Sequence, residues 1–177
     1  MSEEKFDAIV VGGGLAGLTA ASVMAKEGLE VLLVEKGNYC GSKNVTGGRF
    51  YGHSLEKVIP GFAESAPVER RITKERFSTM KDGELVTAEY NSADLNEPKG
   101  DSYSVLRGKF DQWYAEQAEE MGVMMVCGVR VDELLVEDGK VIGVKAGDEE
   151  MEADVVVLAD GVNSLLAQEL GMKEELL

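Results

Sequence analysis

One short segment limits the fold more than any other: Gly12-Gly13-Gly14-Leu15-Ala16-Gly17. It follows Ile9-Val10-Val11, the apolar end of a strand predicted from Lys5 to Val11, and it precedes a helix predicted from about Leu15 to Glu27. That flanking context makes a glycine turn informative, because glycine turns by themselves are common. In the helix Leu15, Leu18, Ala21, Ser22 and Ala25 recur at three- and four-residue spacing, and Gly28 closes it as a glycine cap does. Glu30 to Val34 is the second strand. Its continuous Val31-Leu32-Leu33-Val34 suits a parallel strand buried on both faces.

Each glycine has a physical task. Gly12 permits the tight turn, Gly14 lets a pyrophosphate approach the backbone, and Gly17 lets helix and strand pack closely. The helix then offers free N–H groups and a positive dipole end to an anion. Glu35 lies 18 positions after Gly17, at the end of the second strand. A carboxylate there accepts hydrogen bonds from ribose hydroxyls and repels a 2′-phosphate, which argues against NADP. Leu15 and Ala16 inside the turn, and Lys36 beside the acid, complete the expected contacts. These residues predict an adenine dinucleotide and leave FAD and NAD both open.

The length, 177 residues, suits one domain with at most a small extension. The formal charge of −15 makes nucleic acid an unsuitable partner. Cys40 and Cys127 form no CxxC and read as free thiols in a reducing compartment. With His53 the single histidine, no metal site is expected. No apolar run reaches the roughly 20 residues of a membrane span, and Ile9 to Val11 is too short for a signal-peptide core. A soluble, cytoplasmic protein is therefore expected.

Beyond Glu35 a glycine-rich loop is predicted from Lys36 to Gly48, a short helix from Ser54 to Ile59, and two strands, Arg70 to Met80 and Glu84 to Tyr90, about Lys81-Asp82-Gly83. Asn91 to Asp101 reads as loop. Tyr103 to Leu106 is extended and leads into a helix from about Lys109 to Met121, where Asp111 serves the helix dipole. Val123 to Val126 is a buried strand. Val129 to Val136 and Lys140 to Ala146 form a hairpin, Glu149 to Glu152 adds a strand, and Asp154 to Leu158 is a separate buried strand. A helix from about Ser164 to Leu170 and a short tail from Met172 follow. The order predicts an α/β chain with a parallel sheet and an antiparallel supplement.

Three features favour FAD over NAD. The chain inserts Gly41 to Arg49, dense in donors and glycines, instead of returning promptly to a third βα unit. Arg107 stands at a helix entrance, where a guanidinium pairs well with a pyrophosphate oxygen. Asp160-Gly161 ends a strand at the edge where α/β sheets bind ligands. No nucleophile–base arrangement stands out, so no catalytic side chain is assigned.

At this point the chain resembles the FixC-type flavoproteins, relatives of electron-transfer-flavoprotein:quinone oxidoreductase among the glutathione-reductase-like FAD proteins. The resemblance runs from about Phe6 to Met172. It is carried by Lys43-Asn44-Val45-Thr46-Gly47-Gly48-Arg49, His53-Ser54-Leu55, Ile59-Pro60-Gly61-Phe62, Ser102 to Arg107, and Ala159-Asp160-Gly161-Val162-Asn163-Ser164. It implies a Rossmann-like FAD-binding domain with a parallel sheet, an antiparallel β-meander and a small β insertion at about 49–102. It implies that Lys43, Asn44, Val45, Thr46 and Gly47 run near the flavin, that Arg107 approaches the phosphates or ribityl chain, and that the backbone near Val131 meets the adenine. Asp160 and Gly161 match a motif shared with aromatic hydroxylases and geranylgeranyl reductases, which keeps a flavin monooxygenase or a prenyl reductase as alternatives. The implied partners are an electron-transfer flavoprotein and a quinone or ferredoxin-like acceptor. Peripheral membrane attachment is an option for a longer parent. Family members are more than twice this length, so the chain is expected to be one FAD-binding domain, residues 1–177, without the C-terminal substrate or quinone domain. A non-catalytic cofactor-binding fragment is the other alternative.

Overall fold

Alternation of glycine turns with apolar runs produces eleven strands and four α-helices among the described residues. The computed structural model describes residues 5–91 and 101–173. The chain divides into two units, Met1–Val45 with Gly108–Leu177, and Thr46–Arg107.

The first unit is built on β1 (Phe6–Val11), α1 (Leu15–Lys26) and β2 (Val31–Glu35). After the second unit the chain returns through α3 (Arg107–Glu120) to β8 (Met124–Cys127), β9 (Glu133–Glu137), β10 (Lys140–Ala146), β11 (Glu149–Leu158) and α4 (Leu165–Glu169). One six-stranded sheet results, in the order β8-β2-β1-β11-β10-β9. β1 runs parallel to both neighbours, with Ile9 opposite Leu32 on one side and Val156 on the other. Period-two alternation sends Ile9, Val11, Leu32 and Val34 to one face, where Val131, Val144, Ala153 and Leu166 complete a buried cluster. Ala8, Val10, Val31 and Leu33 bury the other face, against which α1 packs. α3 joins this layer, its buried Tyr114 hydroxyl donating to Thr19 Oγ1 at 3.1 Å.

The second unit holds β3 (Gly47–Tyr51), a one-turn α2 (Gly52–Leu55), β4 (Val68–Arg71), β5 (Glu75–Lys81), β6 (Glu84–Tyr90) and β7 (Ser102–Leu106). β3, β7 and β4 form one antiparallel sheet, and β5 and β6 form a separate ribbon. Phe62 packs edge-on against Phe50 at 5.8 Å and Tyr103 at 5.9 Å.

Several expectations change. Gly47 and Gly48 belong to a strand, paired with Leu106 and Val105; two adjacent glycines hide a strand from any propensity argument. The predicted strand from Arg70 to Met80 is two, β4 and β5, because the chain changes sheets between them with no Gly or Pro to mark it. The helix expected from Ser54 is the single turn Gly52–Leu55. Val129 to Val136 is strand only from Glu133. The two strands expected within 149–158 are one, β11. Its first part pairs antiparallel with β10 and its second part parallel with β1, so it serves both sheet types without a break. It is not buried throughout, since Val155 is 54% exposed. Most of the loop from Asn91 and the last residues of the tail lie outside the described residues.

Gly143 sits where β10 shifts register against β9, and a Cβ there would stand 2.2 Å from the Met151 carbonyl oxygen. Gly48 has open space at the same position. Gly143→Ala is expected to cost about 2 kcal/mol, the scale of core overpacking, read from the urea midpoint. Gly48→Ala should leave that midpoint nearly unchanged. Equal midpoints for both variants would contradict the packing described.

Candidate functional site

The carboxyl ends of β1, β2 and β11 meet where the sheet order reverses, the place open α/β sheets bind ligands. A cavity of about 490 Å³ opens there, within the first unit. Gly12, Gly13 and Gly14, Glu35 and Lys36, Gly41, Lys43 and Asn44, Val129 to Val131, and Ala159 to Leu166 line it.

The turn is held by close backbone contacts. The Gly12 N–H donates to the Val34 carbonyl at 2.8 Å, and the Ala159 N–H to Val11 at 2.9 Å. A Cβ on Gly12 would lie 2.4 Å from the Ala159 oxygen, and one on Gly17 would lie 1.9 Å from the Gly12 oxygen. Those two glycines are required by the protein's own packing. Gly14 is different: a Cβ on it meets nothing within 4 Å. Gly14 is also the N-cap of α1, with extended backbone and no side-chain cap, and no acidic residue occupies the first turn. The helix start therefore keeps N–H groups and a positive end for an anion.

Glu35 binds both sides of the turn. One carboxylate oxygen accepts from the Gly13 N–H at 2.7 Å, and the other from the Gly37 N–H at 2.6 Å. Each oxygen retains a further acceptor position. Behind Gly13 lies the buried Cys40, whose thiol is pushed up by burial first and by Cys127 and Glu35 next. It is a neutral packing group, since the thiolate is the reactive form.

The Lys43-Asn44 loop reaches the cavity through an unforeseen anchor. Asp111 is fully buried, and its carboxylate accepts from Asn44 Nδ2 at 2.5 Å. Gly41, at φ +90°, lies so close to Gly108 and Asp111 that a Cβ would stand 2.9 Å from each. Asp111 thus latches the loop, and the dipole role expected of it gives way to this one. A short-range sequence reading misses it because its partner is 67 residues away.

At the β11 end, Asp160 and Gly161 line the cavity, and Gly161 has φ +86°. The loop is closed by Ser164 Oγ, which donates to the Gly161 carbonyl at 2.5 Å. Leu15, Ala16 and Gly17 stand in the first turn of α1. Val45, 96% exposed, lies outside the cavity lining. Thr46, Gly47 and Arg107 belong to the second unit, where the Arg107 N–H donates to the Thr46 carbonyl at 3.1 Å. Arg130 lines the cavity without having been expected there. Its signal in the sequence was a local acid two residues on, Asp132.

A family model described as FAD dependent oxidoreductase matches residues 7–168. The chain belongs to that family. Protein FixC of Escherichia coli O157:H7 is 58% identical over 172 residues, which are 97% of this chain and 40% of the relative. A probable electron transfer flavoprotein-quinone oxidoreductase, YdiS of Escherichia coli K12, is 54% identical over the same shares. The chain therefore spans about two fifths of the length of the curated relatives it matches. Among solved structures, a geranylgeranyl bacteriochlorophyll reductase-like protein from Thermoplasma acidophilum aligns with TM-score 0.78 at 27% identity, over 98% of this chain and 44% of that one. The FAD-dependent myxobacterial chondrochloren halogenase aligns with TM-score 0.77 at 26% identity, over 93% and 39%.

The cofactor of the family is FAD. The residues present fit a dinucleotide: an uncapped helix start, a glycine whose missing side chain leaves open space, and an acid with acceptor capacity to spare. Among the described residues no helix is long and apolar enough to cross a membrane.

Asp111→Ala leaves the Asn44 amide without its acceptor and is expected to lower stability by about 1–3 kcal/mol, measured by urea unfolding. The 41–44 loop should also become susceptible to limited proteolysis. A variant as stable and as protected as the parent would refute the latch.

Proposed function

We propose that the first unit is the adenine-dinucleotide half of an FAD site, carried by a flavoprotein oxidoreductase that transfers electrons between an electron-transfer flavoprotein and a quinone or ferredoxin-like acceptor. In this reading residues 1–177 are one FAD-binding domain with an insertion at about 49–102. One observation carries it: Gly14 alone of the motif's three glycines leaves empty space where a side chain would stand, at the uncapped start of a helix.

The pyrophosphate would lie over Gly12 to Gly17, held by the α1 N-terminus. Leu15 and Ala16 contribute backbone there. Glu35 would accept the ribose hydroxyls, with Lys36 beside it. Lys43, Asn44, Val45, Thr46 and Gly47 would follow the cofactor toward the flavin, Asp160 and Gly161 would also contact it, and Arg107 would approach the phosphates or the ribityl chain. The backbone near Val131 would face the adenine. Lys36 and Lys43 place positive charge at the cavity of a chain with formal charge −15, which favours an anionic ligand locally. Bound FAD supplies the redox chemistry, while the protein binds, orients and tunes it. The name of the YdiS relative supports an electron-transfer flavoprotein and a quinone as partners.

Gly14→Leu is expected to fold, with stability lowered by no more than the ~1 kcal/mol of a lost glycine N-cap, because its backbone at φ −84° suits any residue. It should weaken FAD by about 100-fold or more, the cost of losing the close phosphate approach, read by flavin fluorescence. Equal affinity in parent and variant would remove the phosphate assignment. For the electron-transfer reading, a longer protein containing this segment should pass electrons between electron-transfer flavoprotein and a supplied quinone or ferredoxin. No turnover with either acceptor would count against those partners.

A further inference from the structure

The cavity wall beyond Glu35 is a strap of backbone pinned at both ends. The Gly128 N–H donates to the Gly37 carbonyl at 2.7 Å, and the Val129 N–H to the Glu35 carbonyl at 3.1 Å. Further on, the Asp132 N–H donates to the Lys145 carbonyl at 2.8 Å, and Asp132 Oδ2 accepts from the Gly147 N–H at 2.9 Å. Between these pins Arg130 lines the cavity. Its Nε donates to Asp132 Oδ1 at 2.7 Å, and Nη2 bridges to the same oxygen. The guanidinium is thus clamped along one edge, while the side chain as a whole is 76% exposed.

We propose that Arg130, oriented by Asp132, is a base-stacking residue that holds the purine of the dinucleotide against its flat face. The inference rests on the FAD reading above, which puts the ribose at Glu35 and the phosphates at the glycine turn. The base then continues from the ribose away from the phosphates, toward the wall that Val129 joins to Glu35. Arg130 and Asp132 together carry no net charge, so the pair offers a second phosphate site little. It offers a planar, weakly hydrated cation face, and guanidinium groups stack readily on aromatic rings. Gly147 and then Arg130 hold the Asp132 carboxyl below its ordinary value, so the clamp stays ionised through neutral pH.

The test is isothermal titration of the 177-residue chain with ADP, and with FAD in parallel. Arg130→Ala is expected to weaken both ligands by about tenfold, the scale of a desolvated cation–π contact. Arg130→Lys keeps the charge, loses the plane and should weaken them nearly as much. Asp132→Ala frees the guanidinium and should cost about threefold. Full affinity in Arg130→Ala overturns the assignment, and so does full rescue by Arg130→Lys, which would make the charge the active feature. Failure of the FAD reading looks different: the parent chain then binds neither ADP nor FAD, and both assignments fall together. Arg130 alone fails when Gly14→Leu weakens binding and Arg130→Ala keeps the affinity of the parent.

Discussion

The carboxylate of Glu35 is the joint on which the first unit turns. It accepts the Gly13 N–H with one oxygen and the Gly37 N–H with the other. The first bond fixes the turn between β1 and α1; the second fixes the departure of the chain from β2. Without this acid, two glycine-rich segments would lie side by side with buried N–H groups unpaired, a cost of about 1–3 kcal/mol each. With it, the turn, the Lys43-Asn44 loop and the Val129 strap share one cavity. The same carboxylate keeps acceptor positions for a ligand, so the group that organises the protein also stands ready to meet the ribose.

The glycines around this joint divide by what they serve. Gly12 and Gly17 answer to the protein, since side chains there would collide with the Ala159 and Gly12 carbonyl oxygens. Gly14 answers to no neighbour within 4 Å. A position kept bare beside an uncapped helix start is a structural mark of something that must come close. The Asp111–Asn44 latch adds the opposite wall, and its depth in the core explains why a loop so rich in glycine and polar residues takes a defined path.

Much of this was legible in the sequence because the governing interactions are local. The βαβ unit follows from an apolar strand, a glycine turn and a helical repeat that touch one another along the chain. What escaped was set by distant partners. β11 reads as two strands because its acidic first half and apolar second half face different neighbours. β3 hides behind Gly47 and Gly48, whose strand state comes from pairing with β7. Asp111 reads as a surface helix acid until Asn44, 67 residues away, is seen to donate to it. Arg130 reads as one half of a local ion pair until the pinned strap is seen to bring it to the cavity wall.

The central claim is that an adenine dinucleotide lies across the ends of β1 and β2 with its phosphates at the start of α1. Backbone amide chemical-shift mapping of the isotope-labelled chain during ADP addition measures this most directly. The largest shifts are expected at residues 12–17, 35–37 and 129–131, saturating together with one affinity. Shifts centred in the Thr46–Arg107 unit, or no saturating shifts at all, would contradict it.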